Sequence, residues 1–173
     1  MPKYVAFLRG INVGGRKINM ADLKMSFDSM GFKDVETLLN TGNVIFLTDK
    51  NQTSLKNLIE INLTKTFNYR AKVQVYGIDV LKKVINNYPF GVASLKEHDY
   101  VIFLENGLER TVVNEKLDLA FDEKIKAGEG VVYWRVSKGS TLQSSFGKLL
   151  TRSAYKEFNT NRNLNTLKKI LNL

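Results

Sequence analysis

The chain has 173 residues, 43% of them hydrophobic and 25% charged, which is ordinary for a globular protein with room for one good core or two small halves sharing one. It has no cysteine and one histidine, His98, which excludes disulfides, thiolate catalysis, cysteine metal centres and the usual two- or three-histidine metal sites. The net charge is +9, so acidic partners are the ones to consider first.

Residues Lys3 to Arg9 read as a first strand rich in β-formers. A polar, basic loop with three glycines follows, Gly10-Ile11-Asn12-Val13-Gly14-Gly15-Arg16-Lys17. Asn19 then caps a helix with Met20, Leu23, Phe27 and Met30 on one face. Gly31 ends it, and Phe32 is placed to fold back onto the last turn. Val35 to Leu39 is a second strand, Asn40-Thr41-Gly42-Asn43 a turn, and Val44 to Leu47 a third strand completing a hairpin. Asp49 or Asn51 caps a second helix that buries Leu55, Leu58, Ile59, Leu63 and Phe67. Ala71 to Tyr76 is a fourth strand. The order is β-α-β-β-α-β, the ferredoxin-like one.

A helix from Ile78 to Asn87 with Val80, Leu81, Val84 and Ile85 inward comes next. Asn87-Tyr88-Pro89-Phe90-Gly91 breaks it. The expected organisation is a ferredoxin-like half over residues 1–90 and a related half over 91–173, together one compact unit. Tyr100 to Glu105 echoes Tyr4 to Arg9. A helix near Val112 to Phe121, a strand near Lys124 to Ala127, a glycine turn at Gly128 and Gly130, and a strand from Val131 to Val136 continue the echo, which points to an internal duplication. A helix over Leu142 to Thr151 and a last helix capped by Thr160 or Asn161, burying Leu164, Leu167, Ile170 and Leu171, form a C-terminal helical extension. The fold class is α+β. Strand one is apolar on both faces, so its sheet is covered on both sides by helices, the other half or a partner chain.

No apolar run approaches the roughly 18–20 residues that span a bilayer, and no signal-peptide pattern opens the chain. The expected home is the cytoplasm, with no membrane partner, as a monomer or homodimer.

Chemistry concentrates at the glycine loop. Gly14 and Gly15 permit close backbone approach, Lys17 adds charge, and N–H groups ahead of a helix hold anions. The loop is neither a P-loop nor a Gly-x-Gly-x-x-Gly fingerprint, so no cofactor is assigned; its alternative role is a wide turn. Arg9 stands at the lip of the loop, as an anion ligand or in a surface ion pair. Asn12 and Asn43 orient a ligand or brace their own turns. Arg162 and Asn163 open the last helix, where an anion is favoured, or merely cap it. His98 has no visible partner, Ser144 and Ser145 lack a nucleophile elbow, and Trp134 and Tyr133 beside Arg135 stack a base or fill a core. No residue is assigned a catalytic role.

Three segments together resemble the bacterial family known as domain of unknown function 1697. They are Leu8-Arg9-Gly10-Ile11-Asn12-Val13-Gly14-Gly15, Thr41-Gly42-Asn43-Val44-Ile45-Phe46 and Arg162-Asn163-Leu164-Asn165-Thr166. Met20-Ala21-Asp22-Leu23 and the Gly31-Phe32-x-x-Val35 junction match as well. Thr41 stands where serine is common, and Leu164 where an aromatic is common. The resemblance implies two ferredoxin-like halves and carries no activity. It also implies that the three segments matter to what members of the family do; if their signature residues converge in space, Arg9, Asn12, Asn43 and Arg162 form one cluster.

The leading functional reading is a site for a small phosphate- or carboxylate-bearing anion at the glycine loop. The second is nucleic acid on the basic tail, where Lys138, Lys148, Arg152, Lys156, Arg162, Lys168 and Lys169 face Glu157 alone; the tail is otherwise a solubilising surface. The third is a protein-interaction domain.

Overall fold

The computed structural model describes Met1–Leu173 apart from Val13 and Phe121. The chain divides into two compact units, Met1–Leu81 and Lys82–Leu173.

The first unit contains β1 (Lys3–Arg9), α1 (Met20–Ser29), β2 (Lys33–Leu38), β3 (Asn43–Leu47), α2 (Gln52–Phe67) and β4 (Lys72–Gly77). Its sheet has the order β2-β3-β1-β4, with β1 antiparallel to both neighbours. This is the split βαβ arrangement of the ferredoxin-like fold. Asn19 starts α1 by accepting from Ala21 N, and Asn51 starts α2 by accepting from Thr53 N. Gly31 follows α1 with φ of +82°, and Phe32 returns to pack against Phe27, the rings tilted with centroids 5.8 Å apart. Tyr4, Ala6 and Leu8 face a core built with Leu23, Phe27, Leu55, Ile59 and Leu63. The opposite face of the strand, Val5 and Phe7, is equally buried.

α3 (Ile78–Asn86) follows β4. Val80 was expected inward but is 41% exposed, while Leu81 and Val84 are buried. Two of its four apolar positions are thus enough to fix the helix face.

The second unit contains β5 (Glu97–Leu104), α4 (Leu108–Val113), β6 (Lys124–Ala127), β7 (Val131–Ser137), α5 (Ser145–Leu150), α6 (Ser153–Lys156), β8 (Asn159–Asn163) and α7 (Leu164–Leu171). Its sheet order, β6-β7-β5-β8, reproduces that of the first unit strand for strand. The registers agree in detail. Tyr4 lies opposite Phe46 and Tyr100 opposite Trp134, so the same aromatic cross-strand pair recurs, at 6.0 Å in one sheet and 5.3 Å in the other. The Leu8 N–H donates to Gly42 O, and the Leu104 N–H to Gly130 O. The C-terminal helix α7 follows β8 as α3 follows β4.

Three helix expectations need correction. The helix near Val112 is the single segment Leu108–Val113, and Phe121 lies outside the described residues. The Leu142 helix begins only at Ser145, because the Ser144 hydroxyl caps it by accepting from Gly147 N. Most important, Thr160, Asn161 and Arg162 do not open the last helix. They form β8, paired with β5 from Tyr100↔Asn163 to Leu104↔Asn159. Asparagine is a poor strand former, and the partner strand overrides that preference. The true cap of α7 is Asn163, which accepts from Asn165 N at 2.9 Å.

The second core, around Trp134, Phe146, Leu149 and Ile102, encloses a carboxylate. Glu123 is 4% exposed; its Oε1 accepts from Trp134 Nε1 at 3.1 Å and from Phe146 N at 3.2 Å. It therefore joins β7 to the first turn of α5. Glu123→Ala strands both donors in an apolar core and is expected to cost about 2–4 kcal/mol, whereas Glu123→Gln keeps an acceptor and costs much less. Urea unfolding followed through Trp134, the single tryptophan, checks the difference; equal losses for the two variants would refute the role.

Candidate functional site

The glycine loop is tied down at its root and open at its tip. Gly10 leaves β1 with φ of +65°, and Ile11 drops into the core. The Asn12 carboxamide donates to Asn40 O at 2.6 Å and accepts from Ile18 N at 3.3 Å. It thus fastens the loop to the β2–β3 turn and closes it on itself. Asn43, fully buried, donates to Leu38 O at 2.9 Å and to Thr41 Oγ1 at 2.8 Å. Gly42 has φ of +73°, and a Cβ there would sit 2.9 Å from Leu8 Cβ and 3.0 Å from Ile11 Cδ1. Only glycine lets the turn lie this close to the loop's root.

Beyond this root, Gly14, Gly15, Arg16 and Lys17 are exposed. The Arg16 guanidinium lies over the Tyr69 ring, 4.6 Å from its centre, a cation–π contact. The Tyr69 hydroxyl is buried and has no hydrogen-bond partner among the described residues. Burial raises its pKa and Arg16 opposes that shift. Arg9, half-buried, ends β1 opposite Lys72 of β4.

Arg9, Asn12, Asn43, Gly14, Gly15 and Lys17 all belong to the first unit, and Arg162 and Asn163 to the second. Arg162 is 9% exposed. Its Nη1 donates to Thr160 Oγ1 at 3.0 Å and to Asn161 O at 2.8 Å, so part of its donor fork is spent within its own strand. Tyr133 and Trp134 are buried as well, and neither is a platform for a base.

The second unit also holds a cavity of about 620 Å³, within the size range of small-molecule sites. Ile85, Val92, Leu95 and Leu164 supply apolar wall. Lys138 and Lys168 supply positive charge, and Asn163 and Asn165 bring the start of α7 to the same space. Glu97, His98 and Asp99 line the side formed by β5. Val92 and Leu95 are 98% and 92% exposed, unusual for aliphatic side chains beside a cavity.

One buried ion pair holds this region in shape. Arg135 of β7 lies directly opposite Asp99 of β5. Its Nε donates to Asp99 Oδ1 at 2.7 Å and its Nη2 to Asp99 Oδ2 at 2.9 Å, a bidentate fork. The remaining reach of the guanidinium goes to Phe90 O and Gly91 O, both at 2.9 Å. The side chain thereby clamps the Tyr88–Gly91 turn, part of the cavity wall, to the sheet. Tyr88 stacks edge-on against Tyr133 at 5.5 Å, and its buried hydroxyl neighbours the Asp99 carboxylate. Burial first, and then the neighbouring Asp99 carboxylate, push its pKa far above the ordinary phenol value. Glu97 is held below the usual carboxylate range by accepting from Ser94 N at 2.9 Å.

Sequence reasoning counted Lys138 and Lys168 only as bulk charge, read Tyr88 as part of a helix-breaking turn, and saw no partner for His98. The signal that was available is Val92 and Leu95, two aliphatic residues in a loop with neither a strand nor a helix period. Among the described residues, no cluster of three or more histidine, aspartate or glutamate side chains is arranged to hold a metal ion.

Removing the carboxylate of the clamp strands the Arg135 guanidinium in a buried position. Asp99→Ala is expected to cost about 3–5 kcal/mol, read as a lower urea midpoint. A loss below about 1 kcal/mol would mean that the pair is not the clamp described. Alkaline stability gives a second check. Burial raises the pKa of Tyr69, Tyr88 and Tyr133, and the hydrogen bond to Glu115 raises that of Tyr155. Unfolded phenols ionise near about pH 10, so above that pH the native state keeps protons that the unfolded chain releases. Stability is therefore expected to be full below about pH 10 and to fall as pH rises further toward the folded pKa values. Denaturant midpoints measured in steps across that range should decline; a flat or rising series would contradict the assignment.

No curated protein matches the chain. Among solved structures, it is similar to the conserved bacterial protein SP0830 from Streptococcus pneumoniae, at 24% identity and a TM-score of 0.81 over 99% of this chain and 97% of that one. That likeness concerns the fold: the two-sheet architecture extends through β8 and α7. The model of the family described as "Protein of unknown function (DUF1697)" matches residues 1–133, a span that includes the glycine loop and the Thr41-Gly42-Asn43 turn. The chain belongs to that family.

Proposed function

We propose that this protein binds a small anionic ligand in the cytoplasm, and that the ligand site is the cavity of the second unit. The observation that carries the reading is the position of Lys138 and Lys168, with the start of α7, around one cavity of about 620 Å³. Two ammonium groups and a helix N-terminus favour negative charge there, and the buried Arg135–Asp99 clamp keeps the wall preformed, which lowers the ordering cost of binding. Absence of cysteine fits a reducing compartment, and among the described residues no helix is long and apolar enough to cross a membrane.

The exposed loop tip Gly14–Lys17 is the second candidate for the same ligand class. It is favoured by two successive glycines with φ of +65° and +80°, which let the backbone approach a ligand closely. Nucleic acid on the basic tail has less support, since Arg162 of that tail is buried.

Thermal unfolding with phosphate and with simple carboxylates tests the proposal. A ligand at about a hundredfold excess over its Kd is expected to raise Tm by roughly 5–10 °C. Lys168→Ala should abolish the shift and Lys17→Ala should leave it intact. The reverse pattern would move the site to the glycine loop, and no shift with any anion would end the proposal.

A further inference from the structure

We infer that the ligand class is a monoanionic aliphatic carboxylate, with its head at Lys138 and Lys168 and its chain against Ile85, Leu164, Val92 and Leu95. The inference rests on the anion site proposed for this cavity and adds what the rest of the ligand must be.

Charge sets the head group. Of the charged cavity residues, Asp99 is neutralised by its bidentate pair with Arg135, while Glu97 keeps a full negative charge held by the Ser94 N–H. Against Glu97 stand Lys138 and Lys168, which leaves a single positive charge in excess. One negative charge balances it. A dianionic phosphate would put its second charge near Glu97 with nothing to compensate it.

The wall sets the body. A site for a fully polar anion has no use for four aliphatic side chains. Leu164 is 4% exposed and Ile85 half-buried, so together they give a fixed apolar surface. Val92 and Leu95 are almost fully exposed beside the same cavity. They sit in the Gly91–Lys96 connection between α3 and β5, where nothing in the fold buries them. Large aliphatic groups left in water at the mouth of a cavity gain free energy only when apolar surface arrives to cover them. A linear chain bound at its head by the two lysines supplies such surface, and the cavity volume accommodates one of medium length.

The test uses the full-length protein and monomeric ligands below their micelle concentrations. Acetate, butyrate, hexanoate and octanoate are titrated calorimetrically, with octanol and inorganic phosphate as controls. Affinity is expected to rise by up to about fourfold for each added methylene, with octanol binding at least tenfold more weakly than octanoate. The Val92→Ser, Leu95→Ser double variant should flatten that dependence on chain length. Because both side chains are solvent-exposed, its thermal midpoint should match wild type, which separates lost binding from lost folding. Phosphate binding that Lys168→Ala removes, with no dependence on chain length among the acids, would overturn this inference and leave the anion site standing. No binding of phosphate or octanoate would remove both, whereas equal binding of octanoate and octanol would overturn this inference alone. Sedimentation with phosphatidylglycerol vesicles, without binding of any monomeric acid, would assign the apolar rim to a membrane surface and overturn the inference as well.

Discussion

Two strands with apolar stretches on both faces impose the architecture. β1 and β5 each present apolar side chains to both faces, and Val5, Phe7, Val101 and Phe103 are as fully buried as Ala6 and Ile102 on the helix-covered side. A strand of this kind must occupy the centre of its sheet, because an edge position would leave an apolar face and an unpaired backbone in water. Each unit meets that demand in the same way, with one hairpin partner on one flank and a late strand on the other. Polar chemistry is thereby pushed out of the strand interiors. It appears at strand ends, as with Arg9 and Glu97, and in the loops that leave them.

The exceptions are buried polar groups in the sheets or at their margins, each held by hydrogen bonds. Arg135 lies in β7 at a register position that puts Asp99 directly across the ladder, and two backbone carbonyls complete its fork. Glu123 is used twice as an acceptor. Arg162 spends part of its donor fork on the strand that carries it. Isolated buried charges would be prohibitive, whereas groups paired at hydrogen-bonding distance are tolerable. Of these, the Arg135 clamp matters most for the candidate site, since it turns a short proline-containing connection into a fixed wall.

Much of the candidate chemistry was hidden in the sequence for a specific reason. Asn12 and Asn43 stood out as polar residues in turns, and turn asparagines serve both ligands and their own backbone. Only hydrogen-bond geometry separates the two, and here both carboxamides hold backbone carbonyls. Lys138 is far in the chain from Asn163 and Lys168, and the three carry no common motif. They share a cavity because β8 pairs with β5 and α7 follows directly. The polar run Asn159–Asn163 gives no strand signal, so its place in the sheet, and with it the start of α7, was not legible.

Several features were settled by the sequence alone. The 3-and-4 spacing of α1 and α2, the Asn19 cap, the Thr41-Gly42-Asn43 turn and the echo of Tyr4–Arg9 in Tyr100–Glu105 are local patterns, and local sterics and amphipathicity suffice to specify them. They were enough for the α+β class, the ferredoxin-like order and the duplication. The tertiary structure alone decided that Asn159–Asn163 is a strand, that Arg162 is buried, that Asp99 faces Arg135, and that lysines from separate elements border one cavity. Those outcomes depend on pairing between segments distant in the chain, where burial and register outweigh the preferences of any single residue.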